Sequence, residues 1–142
     1  MLRYRLLQHT ADIAIEVWGN SIDDLFKSSV EAWLDLSIEQ KIFCANEKKQ
    51  IKLSTTTLEE LLKEFLSEIN YMLHVKKWLT TSVDKISITE IENSFVLSAT
   101  IVGEPIDFNK YQIQEEIKAV TFHQLKIEEK DNFFSTKIVF DI

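Results

Sequence analysis

Apolar residues recur along this chain with two different periods, and the change from one to the other marks its elements. Ile13, Ile15 and Val17 alternate with Ala14, Glu16 and Trp18, the period of a strand. Tyr4 to His9 predicts a strand before it, joined through His9-Thr10-Ala11-Asp12, and Gly19-Asn20 signals a turn after it. The period then lengthens. Ile22, Leu25, Phe26, Ser29, Val30, Trp33 and Leu34 form the stripe of an amphipathic helix opened by Ser21, with Asp24 in an approximate capping box. Lys27, Ser28, Glu31 and Asp35 fall on its opposite side. Ile51-Lys52-Leu53 reads as a short strand. Thr57 and Glu60 form a better capping box for a second helix, whose stripe is Leu58, Leu61, Leu62, Phe65, Leu66, Ile69, Met72 and Leu73.

After Lys76-Lys77 the period returns to two. Ser82 to Ile91 and Phe95 to Gly103 predict a hairpin across Glu92-Asn93-Ser94, with Phe95, Leu97, Ala99 and Ile101 on one face. Gly103-Glu104-Pro105 ends that pair. Ile113 to Ile127 predicts one long extended segment, and Phe133 to Phe140 a last strand after the charged turn Glu128 to Asn132. Two helices and about seven strands, mostly in hairpin order, predict an α+β two-layer sandwich. Both helices then cover one face of a mixed, mostly antiparallel sheet. With 142 residues and no linker or repeat, the chain reads as a single domain, 1–142.

Composition narrows the function. Sixteen Lys+Arg against 23 Asp+Glu give a net charge of −7, and no arginine follows Arg5. That balance opposes gripping phosphate backbones through the overall field, and an acidic protein suits a basic protein partner instead. No apolar run reaches the length of a membrane span and no signal-peptide pattern opens the chain. The lone cysteine, Cys44, fits a reduced, cytoplasmic setting.

Candidate chemistry is sparse. There is no Gly-rich phosphate loop, Cys/His metal cluster or Gly-x-Ser-x-Gly elbow. Asp12, at a strand-to-strand junction, and Asp141, at the tip of the last strand, could converge on one hard cation such as Ca²⁺ or Mg²⁺. Each acid alone is an ordinary turn or terminus residue. His9 either orients the Asp12 turn or acts as a base, the former being the simpler role. His74 suits the cation-favouring end of the second helix. Strand alternation puts Lys118 beside Glu116 on one face, with Thr121 and His123 on the other, so Lys118 and His123 share no obvious site. A solvated edge strand is the plainer reading of that run.

Taken together, several blocks resemble the archease family in order along nearly the whole chain. They are His9-Thr10-Ala11-Asp12-Ile13 with Gly19 and Asp23-Asp24-Leu25-Phe26, the helix Leu61 to Ile69, Gly103-Glu104-Pro105, Ile117 to His123, and Phe140-Asp141-Ile142. Departures fall at Ala14, Phe65 and Met72-Leu73-His74. The resemblance implies a non-enzymatic cofactor of the GTP-dependent RNA ligase, which joins a 2′,3′-cyclic phosphate or 3′-phosphate end to a 5′-hydroxyl. Such a cofactor promotes guanylylation and repeated turnover of the ligase in tRNA splicing or RNA repair, meeting RNA only indirectly. It further implies a divalent metal, calcium first with Mg²⁺ and Mn²⁺ as alternatives, on Asp12, Asp141 and Ile142. Lys118, Glu104, His123 and His9 are then candidates for contact with the partner or nucleotide.

Two other readings compete. A metal-dependent phosphoester hydrolase would use Asp12 and Asp141 for the metal and His9 or His123 as base, a thin set for catalysis. A general chaperone or scaffolding module would use the acidic surface only to keep partners soluble.

Overall fold

The structure, a computed structural model, describes residues 3–7, 12–39 and 43–142. In chain order its elements are β1 (Tyr4–Leu7), β2 (Asp12–Gly19), α1 (Ile22–Ser37), β3 (Glu47–Thr55), α2 (Leu58–His74), β4 (Trp78–Ile91), β5 (Ser94–Pro105), β6 (Ala119–Val120), β7 (Glu128–Lys130) and β8 (Phe133–Asp141). The fold is α+β with antiparallel pairing. Its strands divide into two sheets where the sequence pattern suggests one. The first runs β1-β2-β8-β6, with β7 also on β8, and the second runs β3-β5-β4.

Both helices start where the capping residues place them. The Ser21 hydroxyl accepts from the Asp24 N–H at 3.1 Å and the Thr57 hydroxyl from the Glu60 N–H at 3.0 Å. Each thereby satisfies one donor that a helix start leaves open. The predicted polar side of α1 is only partly correct, because Ser28 is buried. The reason is position: α1 packs on β2 of the first sheet and on β4 of the second, so apolar surroundings reach it from two sides. Ser29 turns its hydroxyl back to the Leu25 carbonyl at 2.8 Å, satisfying it inside its own helix.

Trp33, Phe26, Phe65 and Phe140 are the largest fully buried side chains and belong to one continuous core. Leu97, Ala99 and Ile101 are buried as the alternation of β5 requires, with Phe95 packed at the core's edge. The β4–β5 hairpin is longer at both ends than its predicted span, and Lys77 and Glu92 at its bends take positive φ. Gly103 sits where β5 passes β4. A Cβ there would lie 2.2 Å from the Leu79 carbonyl oxygen and 2.6 Å from the Trp78 ring, so only glycine fits.

The predicted extended segment Ile113 to Ile127 is a correction. Only Ala119–Val120 pairs as a strand there, and Ile113 makes an isolated bridge to Ile38. Several of its apolar residues instead pin irregular chain to the core. Ile117, Val120 and Leu125 are buried, while Phe122 and His123 face solvent. Glu128 to Asn132 is likewise more than a turn. Glu128–Lys130 forms β7, and Asp131 and Asn132, both at positive φ, make the two-residue bend into β8.

Candidate functional site

β2 and β8 are the central pair of the first sheet, and their register fixes the site. The ladder runs without a shift from Gly19↔Phe134 to Asp12↔Asp141. Ile13, Ile15 and Val17 meet Phe140, Ile138 and Thr136, and Phe140, Ile138, Ile15 and Val17 are fully buried. A one-residue slip would turn that apolar set outward, so the core locks the register. Alternation then carries Asp12 and Asp141 together to the opposite face. Asp141 is exposed, whereas Asp12 is half-buried with its Oδ1 out of solvent reach.

Two carboxylates directly opposite each other on antiparallel strands have Cα atoms about 4.5–5.5 Å apart, and like charges so placed repel. A dication between them would reverse that repulsion. The donor set is all oxygen, the chemistry of a hard cation such as Ca²⁺. Ile142 follows directly in the chain and is 37 % exposed. Among the described residues no group of three or more His, Cys, Asp or Glu side chains is positioned to hold a metal. Two carboxylates are only a partial shell, which fits a site completed by further oxygen donors, water or a partner.

β6 brings one further predicted residue to this edge. Ala119 pairs with Asp141, and the Lys118 N–H donates to the Asp141 carbonyl at 2.7 Å. Lys118 and Glu116 are both exposed with Ile117 buried between them. This segment is held by a residue that the sequence reading passed over. Asn70, buried on α2, accepts from the Trp33 indole N–H at 3.0 Å and donates to the Ile117 carbonyl at 2.8 Å. A lone amide inside the apolar stripe of α2 was the available signal.

The other candidates go elsewhere. Because β6 runs antiparallel to β8, the chain after Val120 moves away from Asp141. The Thr121 N–H reaches the Val139 carbonyl, and His123 stands exposed in the following turn, its N–H on the Thr121 hydroxyl at 3.2 Å. Glu104 belongs to the second sheet. Its carboxylate accepts from the Tyr111 hydroxyl at 2.7 Å and from the Cys44 N–H at 3.1 Å, so it clasps the loop after β5 to the segment before β3. That hydrogen bond, with burial added, pushes the Tyr111 phenol up to about 12. His9 lies outside the described residues.

Comparison with known proteins agrees with this architecture. The chain matches the Archease protein family over residues 4–142. It is 31% identical to the protein archease of Pyrococcus abyssi, across 100% of both chains. It is 30% identical to that of Thermococcus gammatolerans, covering 90% of this chain and 89% of the other. The solution structure of a Methanobacterium thermoautotrophicum protein superposes with a TM-score of 0.85 over 100% of both chains at 22% identity, a likeness of fold. The crystal structure of a Thermotoga maritima archease, described as a possible chaperone, matches at TM-score 0.61 and 25% identity, covering 96% of this chain and 94% of that one. The chain belongs to the archease family.

Proposed function

We propose that this protein activates a GTP-dependent 3′-phosphate/5′-hydroxyl RNA ligase, promoting its guanylylation and multiple turnover in tRNA splicing or RNA repair. The working surface is the edge where Asp12 faces Asp141, and that register is the observation on which the reading rests. Asp12, Asp141 and a backbone oxygen of Ile142 would hold a divalent cation, Ca²⁺ by donor chemistry. When bound, it supplies positive charge to an edge that is otherwise doubly negative.

The chain's own contribution is positioning. The β2–β8 ladder holds both acids at one end of a sheet whose other face is packed on α1, so the edge is presented rigidly. The Lys118 N–H, on the Asp141 carbonyl, anchors the neighbouring segment to this edge. An acidic edge able to carry a cation suits a ligase active site with nucleotide phosphates and metals of its own. The single exposed cysteine fits action in the cytoplasm, and no described helix is long and apolar enough to cross a membrane.

The test is GTP-dependent guanylylation and ligation with the partner ligase present in substoichiometric amount relative to RNA. Wild-type protein gives repeated turnover. Asp12→Ala and Asp141→Ala reduce product to the level reached without the protein, while both variants remain folded by circular dichroism. Unchanged turnover with both variants refutes the reading.

A chaperone role is a second reading, favoured by the description of the Thermotoga maritima relative. It predicts suppression of aggregation of unrelated unfolded proteins, and indifference to Asp12→Ala.

A further inference from the structure

The side of α2 that carries Lys63, Tyr71 and His74 does not close onto the segment Glu116 to Val120. A cleft of about 410 Å³ lies between them, also lined by Val75, Glu116 and Lys118. It adjoins the Asp12–Asp141 edge, since Lys118 and Ala119 line the cleft and also contact Asp141. On a chain of net charge −7, this cleft concentrates two lysines against one glutamate. Burial is the main force lowering the His74 pKa, with Glu116 opposing and Lys77 assisting, so the positive charge comes from the lysines. Lys63 is only loosely engaged, 3.5 Å from Glu64 and 5.7 Å from the Phe122 ring centroid. An exposed ion pair of that kind contributes little.

The rim is apolar. Tyr71 is 46% exposed and Val75 56%, on the same face of α2 and its C-terminal turn. Phe122 is 47% exposed beneath the Lys63 ammonium. His74 also lines the cleft, and its buried Nε2 makes no hydrogen bond with the described residues. Basic side chains and exposed rings match a segment that alternates acidic and apolar side chains.

We propose that this cleft docks an acidic, apolar segment of the protein partner, with a carboxylate between Lys63 and Lys118 and an apolar side chain on Tyr71 and Val75. The proposal rests on the activator reading above and adds a second point of attachment to it. An acidic edge next to a basic cleft fixes the orientation of a partner that carries the opposite pattern. The cleft supplies affinity and register, while the Asp12–Asp141 edge supplies activation.

The test measures binding of the RNA-free ligase to the full chain by calorimetry, in parallel with turnover. Lys63→Glu and Tyr71→Ser each weaken binding about tenfold or more, as loss of a charged or aromatic anchor does. Lys63→Arg binds as wild type, and Asp141→Ala loses activation with most affinity retained. Wild-type affinity in both Lys63→Glu and Tyr71→Ser overturns the cleft and leaves the activator reading standing. A defect that appears only when RNA is bound also overturns it, by assigning Lys63 to a phosphate. No binding of the wild-type protein by the ligase removes the activator reading and the cleft together.

Discussion

Glu104 and Asp141 both stand near the ends of β-strands, one in each sheet, and both belong to sequence blocks that point to function. Their surroundings differ. Protein donors claim both oxygens of Glu104, the Tyr111 hydroxyl on one and the Cys44 N–H on the other. Asp141 is exposed and its cross-strand neighbour is another carboxylate. A carboxylate satisfied by donors stabilises the fold, whereas one set against a like charge is stabilised by a cation. Glu104 is thus tied into the architecture, while Asp141 is left for the proposed cation, and this contrast can be broken in several ways.

The largest expected effect is on the joint that serves the functional edge. Asn70→Ala strands the Trp33 indole N–H and the Ile117 carbonyl, both buried, at about 2–4 kcal/mol. For a domain of this size that lowers Tm by roughly 5–15 °C, measurable by calorimetry. Because Ile117 leads into Lys118, hydrogen exchange at the Lys118 amide should rise beyond the global change. Glu104→Ala comes next. It leaves the buried Tyr111 hydroxyl without its acceptor, for about 1–3 kcal/mol, and a chemical-denaturation series should show it with Ca²⁺ affinity unchanged. Lost Ca²⁺ affinity in that variant would break the comparison.

The acid pair should behave in the reverse sense. In chelator, Asp141→Asn removes one of two facing charges, so it leaves stability unchanged or raises it by about 0.2–1 kcal/mol. A large loss would mean that Asp141 is structural like Glu104. The smallest effect is alkaline. The Tyr111 phenol is pushed from 10.0 to about 12 chiefly by its bond to Glu104. A group whose pKa is raised on folding stabilises fully below its unfolded value, and this stability is lost as pH climbs from about 10 to about 12. Tyr111→Phe should flatten that part of the stability curve.

The sequence made the local features legible. Ser21 and Thr57 announced their helices because a cap is a contact within four residues, and the β4–β5 hairpin was read from alternation across one short bend. What it hid was longer in range. The run Ile113 to Ile127 reads as one extended segment, yet its buried residues are held by other elements and most of it never joins a ladder. Ser28 looked solvent-facing because nothing local reveals that α1 touches both sheets. The meeting of Asp12 with Asp141 joins residues at opposite ends of the chain. Residue types suggested it, the family resemblance made it specific, and the β2–β8 register places the two acids face to face. Glu104, singled out by the same resemblance, lies in the other sheet because its block ends β5.

Calcium titration of metal-stripped protein by calorimetry tests the central claim most directly, with wild type, Asp12→Asn, Asp141→Asn and Glu104→Gln side by side. The account predicts one Ca²⁺ per chain for wild type and Glu104→Gln, and at about 100 times Kd a gain of roughly 2.7 kcal/mol in stability. Both aspartate variants should lose the binding and the gain. Calcium binding that survives both substitutions, or none by wild type at millimolar Ca²⁺, would contradict it.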